Sequence, residues 1–338
     1  MNPFSYSRAD TVHDAITALM SDPQAKLLAG GTNLVDLMKY DVVHPSAIVD
    51  ISRLPLNQIE ELPDGGLRIG ALVSNSAVAY DPRVRRDYPL LTSAILAGAS
   101  PQLRNVATTG GNLLQRTRCY YFYDPASPCN KREPGTGCPA IGGINRIHAV
   151  LGASDKCIAV HPSDMCVALA ALAAVVEVEG PQGRRDIPFS EFHRLPGDHP
   201  EKDNTLSQRE IVIAIRLEGG HLVNRGSYLK LRDRLSYAFA LVSVAVAMQL
   251  IDDRIIELRV ALGGVAHKPW RDILVEAEFA GAPADEATFG SIAERLLAGA
   301  QGRGGNDFKI PLARKAVVRA LRQAATRRPA DGPDRMPQ

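Results

Sequence analysis

The alternation of apolar and polar positions predicts the first elements of the chain. The residues Ala9-Asp10-Thr11 precede an amphipathic stretch that runs to Met20, which is the pattern of a capped helix. KLLAG at 26–30 and AIVDI at 47–51 are short apolar runs typical of buried strands, and residues 33–40 between them predict a helix. The order strand, helix, strand predicts a small β-α-β unit over about 1–55.

The same patterns continue through the rest of the chain. They predict strands at 67–74, 174–180 and 210–217 and helices at 90–98 and 164–174. After residue 225, two apolar runs flank a helix-like or irregular stretch, and IIELRVALGGV adds a strand that ends in a Gly-Gly turn. Strands and helices are therefore mixed along the chain, and we predict an α+β fold.

A polar turn at 181–186 is the predicted boundary between two domains. The predicted organisation is a first domain over 1–180, with subdomains over about 1–55 and 56–180, a second domain over 187–325, and a disordered tail over 328–338.

Composition excludes two classes of partner. The chain has 338 residues and a net charge of only +2, with dispersed basic residues, so a nucleic-acid-binding surface is not predicted. Its longest apolar run, at 165–176, is too short to cross a bilayer. The first twenty residues lack the pattern of a signal peptide, so we expect a cytoplasmic chain, or a periplasmic one exported in the folded state with a partner that bears the signal.

Two glycine turns have the character of ligand sites. AGGTN at 29–33 joins a predicted strand to a predicted helix, and TTGGN at 108–112 is similar. Because glycine has no Cβ, a ligand can approach the backbone amides of such turns closely. The pattern is not G-x-G-x-x-G, so a Rossmann site is not predicted. A nucleotide-like ligand held between the two turns and a purely structural role both remain open.

All five cysteines lie between residues 119 and 166, in a region with little periodicity over about 116–160. The spacing of the first four cysteines disfavours a structural zinc site, because it includes no C-x₂₋₄-C pair. These four are Cys119, Cys129, Cys138 and Cys157. Iron–sulfur clusters take four thiolates and tolerate irregular spacing. Ser127 or Thr136 could donate a hydrogen bond to sulfur. Six basic residues nearby suit an anionic cluster: Arg116, Arg118, Lys131, Arg132, Arg146 and Lys156. Reduced thiols in a mobile loop are the alternative. Cys166 lies in an apolar helical pattern and is predicted to be a core residue.

Several motifs together resemble the FAD-binding medium subunit of the molybdenum hydroxylases, a group that includes xanthine dehydrogenase, carbon monoxide dehydrogenase and bacterial aldehyde oxidoreductases. The resemblance covers about residues 1–325 and rests on LLAGGTNLVDLM, IGALVSNS, GASPQLRNVATTGGNLLQ, HPSDM, YLKLRDRLSYAFALVSVAVA and ALGGVAHKPWR. The cysteine insert narrows it to aldehyde oxidoreductases whose FAD subunit carries a [4Fe–4S] cluster. The implied fold is a two-subdomain FAD-binding domain of the PCMH type followed by a C-terminal α+β domain of the CO dehydrogenase flavoprotein type.

The resemblance also implies which residues hold the cofactors. Two groups would contact FAD at the glycine turns: Lys26, Leu27, Leu28, Ala29, Gly30, Gly31, Thr32, Asn33 and Leu34, and then Thr108, Gly111 and Asn112. Asp164 and Lys230 would lie near the flavin, although a helix N-cap and a solvated strand lysine are their plain alternatives. A backbone contact is expected near Ile211. Cys119, Cys129, Cys138 and Cys157 would bind the cluster, and Cys166 would not.

The function implied is electron transfer within a heterotrimer that oxidises aldehydes. Molybdopterin would reside in a large subunit and [2Fe–2S] centres in a small subunit, and electrons would pass through FAD on this chain to an external acceptor. No residue here is expected to act as a catalytic acid or base. Two alternatives stay open: a xanthine, nicotinate or 4-hydroxybenzoyl-CoA reductase-like enzyme, and a non-catalytic iron–sulfur scaffold.

Overall fold

The computed structural model describes residues 2–219 and 225–326. Its strands are β1 (Ser5–Arg8), β2 (Lys26–Leu28), β3 (Ala47–Asp50), β4 (Ile59–Glu61), β5 (Leu67–Gly70), β6 (Val175–Gly180), β7 (Gly183–Pro188), β8 (Ile211–Leu217), β9 (Arg225–Leu231), β10 (Val242–Ile251) and β11 (Arg254–Gly263). Its helices are α1 (Val12–Ser21), α2 (Leu34–Lys39), α3 (Asn75–Tyr80), α4 (Pro82–Asp87), α5 (Pro89–Ala97), α6 (Pro101–Val106), α7 (Thr109–Leu113), α8 (Tyr120–Tyr123), α9 (Asp164–Ala171), α10 (Phe189–Phe192), α11 (Ile273–Glu278), α12 (Glu286–Leu296) and α13 (Lys309–Thr326). This mixture confirms the predicted α+β class.

The N-terminal unit is a parallel sheet in the order β1-β3-β2. Thr11 and Asp14 form a capping box at the start of α1, which explains why that helix begins at Val12. The helix α2 follows β2 directly and leads to β3, which confirms the predicted β-α-β unit. The first glycine turn therefore lies at the carboxyl end of β2, at the edge of this sheet.

The second sheet is antiparallel and has the order β4-β5-β8-β6-β7. Two predictions were wrong in this region. The strand over 67–74 ends at Gly70, because Ser74 accepts a hydrogen bond from Ala77 N and caps α3. The predicted polar turn over 181–186 is longer than the observed one. The strand β7 begins at Gly183 and pairs with β6 as a hairpin. The sheet runs on to Leu217 in β8, so residues 181–186 are not where it ends.

The third sheet, in the order β11-β10-β9, is antiparallel and packs against the C-terminal helices. Its inner face forms one core with α12 and α13, which includes Val246, Val260, Ile292 and Val317. The tail predicted to be disordered, 328–338, lies outside the described residues. No helix in the described ranges combines the length and the apolar character needed to span a bilayer.

The segment 116–160 is irregular, as predicted, and contains only α8 and a 3₁₀ turn at Pro139–Ile141. Side chains hold its loops together. Arg132 donates from Nη1 to the carbonyls of Tyr121 (3.0 Å) and Phe122 (2.8 Å), and Asn130 Nδ2 donates to Lys156 O at 2.9 Å. These bonds satisfy backbone groups that no helix or sheet pairs here.

Candidate functional site

The two glycine turns lie against each other. A Cβ built on Gly30 would stand 2.0 Å from Val106 O, immediately before the second turn, so the contact requires glycine. Gly31 has φ +71°, a left-handed conformation that side chains disfavour. The second turn is α7 itself, where Thr108 accepts a hydrogen bond from Gly111 N. Two segments distant in sequence thus form one wall of backbone.

This wall lines a cleft of about 1450 Å³. That exceeds the roughly 300–1,000 Å³ of typical small-molecule pockets and gives room for an extended dinucleotide. The cleft is lined by most residues predicted to contact FAD, namely Lys26, Leu27, Ala29, Gly30, Gly31, Thr32, Asn33, Leu34, Thr108, Gly111 and Ile211. It is also lined by residues that the sequence did not indicate, among them Arg116, Arg185 and Asp203.

Buried donors without acceptors face this cleft. Asn33 Oδ1 accepts from Arg116 N at 2.9 Å, but Asn33 Nδ2 and Arg116 Nη2 are buried and have no acceptor among the described residues. The partial burial of Lys26 and the charge of Arg116 lower the pKa of the Lys26 ammonium, so two cations stand close together. Unsatisfied donors and neighbouring cations fit an anionic ligand such as a diphosphate.

Four of the predicted FAD residues do not line this cleft: Leu28, Asn112, Asp164 and Lys230. Asp164 and Lys230 are buried and paired with each other, with Nζ 2.7 Å from Oδ2, and Tyr228 donates to the same carboxylate at 2.6 Å. Two alternatives left open by the sequence, a helix N-cap for Asp164 and a solvated strand lysine for Lys230, are therefore wrong. Ser163, not Asp164, is the N-cap of α9, and Lys230 is not solvated.

One residue connects this ion pair to the glycine wall. Asn112 Oδ1 accepts from Ser163 Oγ at 2.5 Å, and Asn112 Nδ2 donates to Asn75 Oδ1 at 3.0 Å. Asn112 is adjacent to Gly111 and Ser163 is adjacent to Asp164. Asn112 thus links the glycine wall to the residue that precedes Asp164.

The four cysteines of the irregular segment line one small cavity: Cys119, Cys129, Cys138 and Cys157. The two predicted basic neighbours that also line it are Lys131 and Lys156. The four thiols do not form a single-ion site, because the one group of donors close enough for a lone metal ion among the described residues lies elsewhere. A cubane is wider than one ion, so thiols spread around a shared cavity fit a [4Fe–4S] cluster.

Burial keeps the thiols of Cys119, Cys138 and Cys157 protonated in the absence of a metal. It raises the pKa of Cys119 to about 12 and that of Cys157 to about 11, although the charge of Lys131 opposes the shift at Cys157. The pKa of Cys138 is raised for the same reason. Metal ligation requires thiolates, so loading of a cluster releases protons and is favoured by the cations nearby.

The polar groups around the sulfurs differ from the predicted ones. Ser127 Oγ donates to Asp124 Oδ2, and Thr136 Oγ1 donates to Glu133 O, so neither hydroxyl donates to a cysteine sulfur. His148, which sequence reasoning missed, places Nε2 3.0 Å from Cys119 Sγ. No local motif could have indicated this contact, since the two residues are separated by 29 positions.

One carboxylate connects the cavity to the cleft. Asp203 forms ion pairs with Arg116, which lines the cleft, and with Lys131, which lines the cavity and is 3% exposed. Lys131 Nζ also donates to Pro200 O at 2.7 Å. Although burial opposes ionisation, Arg116 and Lys131 hold the pKa of Asp203 well below its usual range. The loop around residue 203 thus contacts both parts of the site.

The remaining cysteine belongs to a separate buried group. Cys166 is fully buried in α9, as predicted for a core residue, and its ligand atom lies within 4.8 Å of those of His161 and His193. His193 Nε2 lies 2.9 Å from Leu113 O. Burial raises the pKa of Cys166 to about 12, so this thiol is protonated near neutral pH. The group lies outside the cavity that the other four cysteines line.

Two family models match the chain. The model described as the FAD binding domain in molybdopterin dehydrogenase matches residues 2–217, and the model described as the CO dehydrogenase flavoprotein C-terminal domain matches residues 227–324. The chain belongs to the molybdopterin dehydrogenase flavoprotein family. The first match ends at Leu217, the last residue of β8, where the second sheet also ends.

Relatives within this flavoprotein family match over nearly their full length. The chain is 48% identical to the aldehyde oxidoreductase FAD-binding subunit PaoB of Escherichia coli K12, over 96% of this chain and 99% of that protein. It is 27% identical to the carbon monoxide dehydrogenase medium chain of Hydrogenophaga pseudoflava, over 96% and 98%. A solved carbon monoxide dehydrogenase from that organism superimposes with a TM-score of 0.74 at 26% identity, over 96% and 98% of the two chains.

Proposed function

We propose that the chain is the FAD- and [4Fe–4S]-binding electron-transfer subunit of a heterotrimeric molybdenum-dependent aldehyde oxidoreductase. The observation that carries this proposal is the pairing of two sites, a cleft with unsatisfied donors and a cavity lined by four cysteines. When bound, the flavin and the cluster would supply the electron transfer, and the protein would position them and tune their electronics.

Each group of residues would contact a different part of the two cofactors. The backbone of the glycine wall, with Lys26, Asn33 and Arg116, would bind the FAD diphosphate. Ile211 would contact FAD from β8. Cys119, Cys129, Cys138 and Cys157 would bind the cluster. Asp164 and Lys230 would act behind Asn112, next to the flavin.

Aldehydes are the proposed substrate class because of the 48% identity to PaoB. Relatives named for xanthine or nicotine share much less, at 28% for the putative xanthine dehydrogenase FAD-binding subunit XdhB of Escherichia coli K12 and 24% for the nicotine 6-hydroxylase medium subunit of Paenarthrobacter nicotinovorans. The intact cleft disfavours a scaffold that has lost its flavin. The substrate would react on a large molybdenum subunit, with a small [2Fe–2S] subunit between that centre and this chain.

The location follows from the same proposal. If the complex works in the periplasm, this chain would load its cofactors in the cytoplasm and travel with a partner that bears a twin-arginine signal. Immunoblots of periplasmic and cytoplasmic fractions, with and without the signal of that partner, would test this. A periplasmic chain that persists when the partner's signal is removed would contradict co-export.

The two sites are tested by cofactor analysis of the purified chain. We expect one FAD, about four iron atoms and four inorganic sulfides per chain, the stoichiometry of one [4Fe–4S] cluster. Co-expression with the two partner subunits and affinity purification through a tag on this chain should recover a 1:1:1 complex that oxidises aldehydes. Recovery of a chain with flavin but no iron would refute the cluster assignment and leave the flavin assignment standing.

The diphosphate assignment is tested by Lys26→Met. A charge-assisted hydrogen bond to phosphate contributes about 1.5–3 kcal/mol, so we expect the Kd for FAD to rise by about 10- to 100-fold. Unfolding of the FAD-free protein should not occur at a lower temperature, because the change removes repulsion between Lys26 and Arg116. Lys39→Met, in α2 but outside the cleft, is the matched control. Equal FAD affinity in the two variants would contradict the assignment.

A further inference from the structure

Of the polar side chains near the four cysteines, His148 makes the closest approach to sulfur. Its Nε2 lies 3.0 Å from Cys119 Sγ, and the two residues are 1% and 7% exposed. A cluster-bound thiolate has no proton and only accepts hydrogen bonds. With Cys119 as a ligand, Nε2 must therefore carry a proton for this contact to be attractive.

The backbone around His148 is held in place by the C-terminal part of the chain. Lys309, which is fully buried at the start of α13, donates to the carbonyls of Ile147 (3.2 Å) and His148 (2.8 Å) and also to that of Gly264. Asn306 Nδ2 donates to Ala149 O at 2.9 Å, and His148 N donates to Asn145 O at 2.9 Å. Tyr120 packs its edge against the imidazole, with ring centroids 6.5 Å apart. The donor is thus preorganised by residues that are not ligands.

Resting on the proposed [4Fe–4S] site, we propose that His148 is a positioning residue that raises the reduction potential of the cluster through its hydrogen bond to Cys119. Reduction adds one electron to the cluster and moves no proton. The added negative charge is shared with the ligand sulfurs, so an N–H donor at one sulfur stabilises the reduced form more than the oxidised form.

His148 would act on the cluster in a different way from the cations around the cavity. Lys131 and Lys156 act through charge, and each has a carboxylate partner, Asp203 and Asp198. His148 acts through one directed bond from Nε2 to Cys119 Sγ. A side chain that keeps a donor at the position of Nε2 should therefore keep the potential, whereas an apolar side chain of similar size should not.

The test compares His148→Gln with His148→Leu in the full-length chain purified with its cofactors. An EPR-monitored redox titration gives the midpoint potential of the cluster, and the flavin potential in the same sample is an internal reference. We expect the cluster potential of His148→Leu to move to a lower value, with a clearly smaller shift for His148→Gln and an unchanged flavin potential. Equal cluster potentials in the wild type and in an iron-replete His148→Leu protein would overturn the proposal.

A measurement on the unmodified protein covers the case in which His148→Leu does not assemble its cluster. Pulsed EPR of the reduced cluster in protein labelled with ¹⁵N-histidine should detect a hyperfine-coupled histidine nitrogen, and this coupling should be lost in His148→Gln. A reduced cluster without such a coupling in the wild type would refute the bond. A wild-type chain without a reducible cluster would instead refute the proposed function, so the two failures are distinguishable.

Discussion

Cys166 differs in its surroundings from the four cysteines proposed to bind the cluster. These four are Cys119, Cys129, Cys138 and Cys157. Cys119, Cys129 and Cys157 are as buried as core residues, yet all four thiols of the set line a cavity together with Lys131 and His148. Cys166 contacts the main hydrophobic core and two histidines. Because a buried thiol without a metal stays protonated, the neighbouring donors and cations determine which cysteines are suited to ligation.

Substitution of single cysteines tests this distinction. Serine at position 119, 129, 138 or 157 should abolish or destabilise the cluster, so that iron falls well below the four atoms per chain of a [4Fe–4S] cluster. The change should also loosen residues 116–160, which limited proteolysis would detect. Cys166→Ala is the control and should retain its iron. Loss of iron in Cys166→Ala together with full iron in Cys157→Ser would show that the ligands are assigned wrongly.

At the scale of secondary-structure elements, the contact between the turn after β2 and the last residue of α6 shapes the cleft. It exists only because Gly30 lacks a Cβ, which would lie 2.0 Å from Val106 O. Backbone atoms cannot rotate away as a side chain would, so any larger residue must separate the two turns. The close approach of the two turns within this wall therefore depends on one position.

Gly30→Ala should lower both FAD content and thermal stability, since overpacking of this kind costs about 1–3 kcal/mol. The matched control is Gly290→Ala in α12, where a Cβ has no atom within 4 Å and alanine favours the helix. Absorbance of bound flavin and the unfolding temperature measure the two effects. Wild-type values of both in Gly30→Ala would contradict the close approach of the turns.

Lys309 predicts a pH dependence at the same scale. Burial is the main cause that lowers its pKa to about 7, from 10.5. Between these values the unfolded chain binds a proton that the folded chain does not, so the free energy of unfolding rises with pH, by up to about 1.4 kcal/mol per unit. The unfolding temperature of the wild type relative to Lys309→Met should therefore increase from pH 6.5 to 9.5.

Lys315→Met is the control for this experiment, because Lys315 is an exposed lysine on the same helix. Its unfolding temperature relative to the wild type should change little over the same range. A constant difference between the wild type and Lys309→Met would mean that Lys309 has an ordinary pKa in the folded protein.

The sequence predicted the parts of this fold and site that depend on local patterns. Spacing and turn chemistry indicate structure within short segments of sequence. Such local features include the glycine turns, the run of cysteines and the β-α-β unit. The pairing of Asn33 with Arg116, the approach of His148 to Cys119 and the clamp of Lys309 on residue 148 join segments separated by 83, 29 and 161 positions. Packing of the whole chain determines such contacts, and no local period signals them.

At the scale of the whole molecule, the proposed function assigns cofactor binding to this chain and substrate chemistry to its partners. No catalytic residue is assigned in either the cleft or the cavity, and the relatives are named as subunits or medium chains of larger enzymes. Under the proposed function, the chain would therefore act only together with its partners. Its isolated form should contain the flavin and the cluster yet remain inactive towards substrate.

We therefore expect the isolated, cofactor-loaded chain to reduce no dye when an aldehyde is added. The complex with the molybdenum and [2Fe–2S] subunits should do so, and addition of those subunits to the isolated chain should restore the activity. Metal analysis must accompany the assay, because trace molybdenum subunit would give a false rate. Aldehyde-dependent reduction by a molybdenum-free preparation would overturn this division of labour.

Asp203 couples the binding of the two proposed cofactors. Its single carboxylate is shared by Arg116 at the cleft and Lys131 at the cavity, so it cannot respond to one neighbour without affecting the other. A diphosphate that attracts Arg116 would leave the carboxylate to Lys131, and an anionic cluster that attracts Lys131 would leave it to Arg116. Thermodynamic linkage makes such an influence reciprocal. FAD affinity should therefore differ between cluster-loaded and cluster-free protein, and cluster retention should differ by the same factor with and without FAD.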